Sequence, residues 1–213
     1  MIRITQKGLI KPSDFEILEL QQEFKEKRCI VIPRLVDEKL LEKTLQGIAN
    51  GEFFENNHDQ LKNGLYTLED TLRGENIATH LIHFIINNKE LFKLVQLLTG
   101  CREIKGFRGR VYKLEPGGNH KLDWHEDSFY PVRVLAMSIN LGALPYEGGL
   151  FQIKRKTTDT ILREVACGNL GDAHIFDISD NLLHRVTAVT GKNPRIAAAG
   201  WFTDDTPHSG FHN

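Results

Sequence analysis

The 213-residue sequence lacks an excess of either charge: 27 basic side chains stand against 28 acidic ones, for a formal net charge of −1. Gripping nucleic acid by charge needs a basic face, and an anionic membrane surface selects polybasic segments, so neither is an expected partner. No apolar run approaches the ~20 residues of a bilayer span. The opening stretch MIRITQKGLIKPSDFE lacks the apolar core of a signal peptide. The expectation is a soluble, cytoplasmic protein. Cysteine is scarce: Cys29, Cys101 and Cys167 are far apart and form no CxxC pair, which disfavours a disulfide framework or a zinc–thiolate site. They read as small buried residues. Internal repeats and low-complexity segments are absent too.

What is present divides by pattern. Residues 13–28 predict an amphipathic helix, with Ser13 and Glu16 as a capping box and Phe15, Leu18 and Phe24 as a buried stripe. CIVIP (29–33) predicts a strand, and residues 37–50 a helix with Asp37 as N-cap. Residues 51–76 are polar and punctuated by Gly and Asn, and predict a long irregular lid. Residues 77–87 predict a buried helix. Residues 88–100 predict another, started by Asn88 and stopped by Gly100. From about residue 104 the pattern changes to short strands between turn signals: FRGRVYKLEP, VRVLAMSINLGAL, GLFQIKR, TILREVA, DAHIFDI, LLHRVTAV and RIAAAGWFT. The expected fold is mainly β with N-terminal helices, a double-sheet β core packed against a helical layer. The chain is read as one domain, with 1–103 as helical layer and lid, 104–203 as core and 204–213 as tail.

Within that core, DWHED (123–127) places His125 and Asp127 two apart, which in a strand sets them on one face. Such a pair is common by chance and also reads as a polar pair at a strand edge. A third ligand is available in His184, 184 − 125 = 59 residues on, where a later strand of a sandwich returns to the same mouth. Two imidazoles and one carboxylate fill three corners of an octahedron and leave three open, which suits Fe(II) with a co-substrate and O2. Arg195 follows His184 across a TGKNP turn, and a guanidinium deeper in the same mouth matches a carboxylate by two parallel hydrogen bonds. The other histidines are read as structural or solvated: His80 and His83 on a helix, His174 on an apolar strand, His120 in a loop, His58 in the lid, and His208 and His212 in the tail.

These segments resemble a known family. HEDS, YEGGLFQI, GDAHIFD and HRVTAVTGKNPRIAAAGWF, in that order, are similar to the catalytic core of 2-oxoglutarate- and Fe(II)-dependent oxygenases, nearest the prolyl 4-hydroxylase-like branch. The resemblance covers about residues 104–203. It implies a double-stranded β-helix (jelly-roll) core, with His125, Asp127 and His184 on iron and Arg195 on the distal carboxylate of 2-oxoglutarate. It further implies Tyr112 and Asn140 in the co-substrate pocket. Some branches carry a serine two residues after the arginine; here Ala197 stands there, so a second carboxylate donor comes from Tyr112 or Thr187.

The implied reaction is oxidation of a C–H bond coupled to decarboxylation of 2-oxoglutarate to succinate and CO2. Asp127 occupies the position that halogenating relatives leave small, which favours hydroxylation. Expected cavity walls are Phe129, Tyr130, Arg133, Trp201 and parts of 51–76, with Arg133 meeting a substrate carboxylate. The expected substrate is a small molecule or amino acid. The alternatives are a peptide or protein side chain, a cupin-like metal-binding protein without oxygenase turnover, and a degenerate oxygenase-like binding protein.

Overall fold

The chain's β-rich pattern resolves into thirteen strands and four helices in a computed structural model that describes residues 1–57, 67–117, 120–166 and 168–205. β1 (Arg3–Thr5) and β2 (Gly8–Ile10) form a hairpin. α1 (Asp14–Lys27) starts at the predicted capping box, in which the Ser13 hydroxyl accepts from Glu16 N–H and the Glu16 carboxylate accepts from Ser13 N–H. Its buried face differs from the expected one: Ile17, Leu20 and Phe24 pack inward, while Phe15 and Leu18 are 68% and 64% exposed. One helical register cannot bury both sets. The face set by Phe24 takes residues seven and four positions before it and leaves Phe15 and Leu18 outside.

β3 (Cys29–Ile32), α2 (Glu38–Ala49), β4 (Phe53–Asn57) and β5 (Thr67–Leu72) follow. The irregular lid expected over 51–76 is corrected here. Its flanks pair with each other as antiparallel strands, and β5 also pairs with two core strands. Polar alternation hid these strands, since FENN and LED carry hydrophilic side chains on a ladder that backbone hydrogen bonds hold. Residues 58–66, including His58, lie outside the described residues, as do Cys167 and the tail from 206 with His208 and His212.

α3 (Ile77–Ile86) and α4 (Lys89–Thr99) are capped by Asn76 and Asn88, and Gly100 closes α4 in the left-handed region. Among the described residues no helix is long and apolar enough to cross a membrane. The core strands are β6 (Gly106–Leu114), β7 (Lys121–His125), β8 (Arg133–Asn140), β9 (Phe151–Arg155), β10 (Ile161–Val165), β11 (Ala173–Phe176), β12 (Leu182–Val186) and β13 (Arg195–Thr203). They join in the order β10-β9-β12-β7-β5-β6-β13-β8-β11-β3, every pairing antiparallel. β5 is the link between its two halves. The sheet folds over itself there, so that side chains from β7, β9 and β12 meet those of β6, β8, β11 and β13 across one cavity. This is the expected jelly-roll.

The helices cover one outer face. β13 shows how alternation sorts the two sides: Ile196, Ala198 and Phe202 enter the core shared with the helices, while Arg195, Ala199 and Trp201 line the cavity. The GD turn before β11 has a steric reason. Gly171 sits at φ +80°, and a Cβ there would lie 2.2 Å from the Val36 carbonyl oxygen. Its N–H donates to Asn140 O at 2.9 Å, tying the end of β8 to the start of β11. Gly171→Ala is expected to destabilise the fold by about 3 kcal/mol through strain and backbone clash. Urea unfolding should show a lower midpoint at unchanged slope.

Candidate metal centre and active site

β7 and β12 run antiparallel with His125 directly opposite His184, ring centroids 4.2 Å apart. Between Leu122 and His125 the ladder slips, two residues opposing one. Such a bulge re-aims side chains. It lets both Leu122 and His125 face the cavity, while Trp124 on the outer face carries the Lys154 ammonium 4.4 Å and the Arg185 guanidinium 4.5 Å from its ring centroid. The same-strand reading of His125 and Asp127 is thus half right. β7 ends at His125, and Asp127 lies in the irregular segment just beyond.

Asp127 is placed by neighbours instead. Trp201 Nε1–H donates to its Oδ2 at 2.7 Å, and Arg133 Nη1 donates to its Oδ1 at 3.1 Å. His184 Nε2 lies 3.4 Å from Oδ2. Ligand atoms of His125, Asp127 and His184 all fall within 4.8 Å of one another, a group that could hold one metal ion. The chemistry of the donors suits it. His125 Nδ1 lies 2.6 Å from the Asp123 carbonyl oxygen, which only accepts, so the proton sits on Nδ1 and the Nε2 lone pair is left for a metal. Burial, reinforced by His184 nearby and partly offset by Asp127, lowers His125 to about 4, keeping that lone pair unprotonated near neutral pH. Burial by itself raises the Asp127 carboxyl. The hydrogen bond and charge of His184, with His125 and Trp201, outweigh it and hold the group well below the usual carboxylate range.

Arg195 opens β13 and is 2% exposed, deep in the same cavity. Tyr112 on β6 hydrogen-bonds its Nη1, and Ser138 on β8 takes Nη2 at 3.3 Å. Gly149 lets the side chain pass: it sits at φ +58°, and a Cβ would be 2.9 Å from Arg195 Cδ. His174 lines the cavity wall beside Phe151 and Phe176 rather than packing away from the site.

Two expected pocket residues are elsewhere. Asn140 ends its strand with both amide atoms used in turns, Nδ2 donating to Asn169 O and Oδ1 accepting from Gly142 N–H. Thr187 spends its hydroxyl accepting from Leu150 N–H. Neither lines the cavity. Ser138, two residues before Asn140 and on the same strand face, was missed; period-two counting along SINLG from the strand interior would have found it. Arg110 was missed as well, although it lies two residues before Tyr112 on the same face.

Arg133, expected to meet a substrate carboxylate, is spent on Asp127 and stacked, with its guanidinium carbon 3.5 Å from the Trp201 ring centroid and 4.2 Å from that of Tyr130. Trp201 lines the cavity, whereas Phe129 and Tyr130 are 64% and 52% exposed. His120, expected in solvent, is buried, and its Nδ1 accepts from Glu115 N–H. His83 is structural as expected, Nε2 lying 2.8 Å from Gly109 O.

The 2OG-Fe(II) oxygenase superfamily model matches residues 109–203. No curated protein matches the chain. Solved structures similar to it include a Pseudomonas putida prolyl-4-hydroxylase, 14% identical, TM-score 0.61, over 89% of this chain and 99% of that one. The non-haem α-ketoglutarate-dependent epimerase SnoN from nogalamycin biosynthesis is 14% identical, TM-score 0.65, over 94% and 93%. A Trichoplax adhaerens prolyl hydroxylase, in complex with a hypoxia inducible factor peptide fragment, is 12% identical, TM-score 0.60, over 91% and 94%.

The site also sets a pH dependence. Burial, with Arg195 and His184 adding to it, lowers His174 to about 3, and His125 stands at about 4, both below the ordinary 6.5. The unfolded chain therefore takes up these protons first. Chelated protein is expected to hold full stability above about pH 6.5. It should lose stability as pH falls through those values, and His174→Gln should flatten the loss in urea titrations run across pH.

Proposed function

We propose, on the premise that residues 109–203 belong to the 2OG-Fe(II) oxygenase superfamily, that His125, Asp127 and His184 bind Fe(II) and that Arg195 receives the distal carboxylate of 2-oxoglutarate. The superfamily consists of oxygenases that use Fe(II), 2-oxoglutarate and O2. The observation that carries the assignment is the pairing, in one cavity, of a two-imidazole, one-carboxylate donor set with a buried guanidinium. Cupin-like binding without turnover, or a degenerate binding protein, has no use for a buried, doubly hydrogen-bonded arginine beside the ligand set.

With iron bound, the centre supplies oxidation by O2 coupled to conversion of the keto acid to succinate and CO2. The chain's own residues supply geometry. Tyr112 and Ser138 fix the Arg195 fork, and Tyr112 is the second donor to the carboxylate. Trp201 and Arg133 hold Asp127 where its strand does not reach. Phe151, Phe176 and Val186 keep that end of the cavity apolar and exclude water.

We further propose hydroxylation of an aliphatic carbon of a small molecule or amino acid, by a protein of the cytoplasm acting as one domain. The space between the sheets, about 500 Å3 when the solvent at its open mouth is counted, holds the donor set and Arg195 together. A second reading, a peptide side chain, is favoured by exposed Phe129, Tyr130 and Val132 just past Asp127. The fold alone does not choose, since it also serves an epimerase.

His184→Ala is expected to lose stoichiometric iron with folding retained; unchanged iron content by metal analysis overturns the ligand set. Arg195→Met should weaken 2-oxoglutarate by roughly 2–5 kcal/mol, the range for breaking a buried charge-assisted pair. Anaerobic titration of the visible charge-transfer band measures it, and unchanged affinity places the carboxylate elsewhere.

A further inference from the structure

The cavity carries a second guanidinium that the metal and keto-acid assignment leaves unused. Arg110 precedes Tyr112 by two residues on β6, on the same face and further from the buried end. Its Nε–H donates to Glu69 Oε1 at 2.5 Å, and the Thr71 hydroxyl donates to the same oxygen at 3.1 Å. Glu69 is fully buried, and its Oε2 has no partner among the described residues. Holding Arg110 by Nε fixes the guanidinium from its side. The two terminal nitrogens have no hydrogen-bond partner among the described residues, and the side chain remains 28% exposed.

A buried Arg–Glu pair with one carboxylate oxygen unbonded adds little stability over packed apolar residues. It does present a fixed planar donor edge to the cavity. The charged groups around that edge are few: Glu69 behind it, Asp127 beyond β7, and Arg133 on β8. Arg133 is already matched by Asp127 at 3.1 Å. Arg110 lines the same cavity as His125 and Asp127, so its guanidinium shares that space with the proposed ligand set.

We propose that Arg110 binds a carboxylate of the molecule to be oxidised, which makes the substrate a carboxylic acid or an amino acid anchored by its carboxylate, with Glu69 as positioning residue. A planar carboxylate meets the terminal edge of the guanidinium by two parallel hydrogen bonds, a geometry that an ammonium or a neutral amide cannot reproduce. The proposal rests on reading the cavity as an active site.

The test is calorimetric titration of the whole protein, metal-free and again with Mn(II) and 2-oxoglutarate. The probes are free amino acids and short monocarboxylic acids, each beside its primary amide. At least one acid is expected to bind about tenfold or more tighter than its amide in both states, as for loss of one buried charge-assisted partner. Arg110→Met should abolish that preference, and Arg110→Lys should keep only part. The double variant Glu69→Leu/Arg110→Met removes both charges together, so it reports on binding even where the single variant misfolds on its unpaired carboxylate. 2-Oxoglutarate affinity should be retained in the double variant, which leaves no unpaired charge beside the cavity. Failure of the unsubstituted protein to bind 2-oxoglutarate counts against the oxygenase reading, while the metal-free arm still decides on Arg110. Acid preference persisting in the double variant, or a panel in which no acid outbinds its amide, overturns the proposal.

Discussion

The hydrogen bond from Trp201 Nε1 to Asp127 Oδ2 is the constraint on which the candidate centre depends. Two imidazoles are set by a strand pairing, His125 against His184. The carboxylate has no such support, because its strand has ended. Its position is taken from β13 through Trp201 and from β8 through Arg133. Three-point geometry at the site thus requires the two halves of the folded sheet to be correctly closed.

The half that holds Asp127 in place is organised by β13. It lies between β6 and β8 and pairs with both along its length. Its alternation places apolar side chains toward the helices and puts Arg195 at one end of the cavity face and Trp201 at the other, with Ala199 and Gly200 lining the cavity between them. Small side chains there leave the space that the cavity occupies. Gly149 adds to it at the buried end, where any Cβ would press on the arginine stem. The space of the site thus depends on residues with almost no side chain, while one strand carries the buried guanidinium at one end and the support of Asp127 at the other.

Much of this was legible in the sequence, and what was not has identifiable causes. Helix starts at Ser13, Asp37 and Asn88 were readable because capping is local chemistry between residues two or three apart. His125, Asp127, His184 and Arg195 were singled out by an HxD pair, a later strand histidine and the resemblance of four ordered segments, and the structure brings them to one cavity. Ser138 was missed, since a serine in an apolar strand signals little until its face is counted by twos from its neighbours. Asn140 and Thr187 look like pocket donors in sequence, yet both sit where backbone groups at strand ends need partners, and those nearer demands take their side chains. The strands flanking 58–66 were hidden because long-range pairing, not local propensity, forms them.

The Glu69–Arg110 pair belongs to the same class of hidden feature, and it bears on how β5 came to link the halves of the sheet. β5 contacts β6 through two register pairs and β7 through two, a short seam for a joint. Placing a buried carboxylate on that seam costs desolvation unless a cation answers it. Arg110 answers from β6, with Thr71 beside it. The polar link that satisfies the joint is the one that aims a guanidinium into the cavity. Removing either charge alone would therefore disturb the scaffold and the site together, whereas removing both leaves an apolar seam and an uncharged wall. Scaffold and recognition are separable here only in pairs.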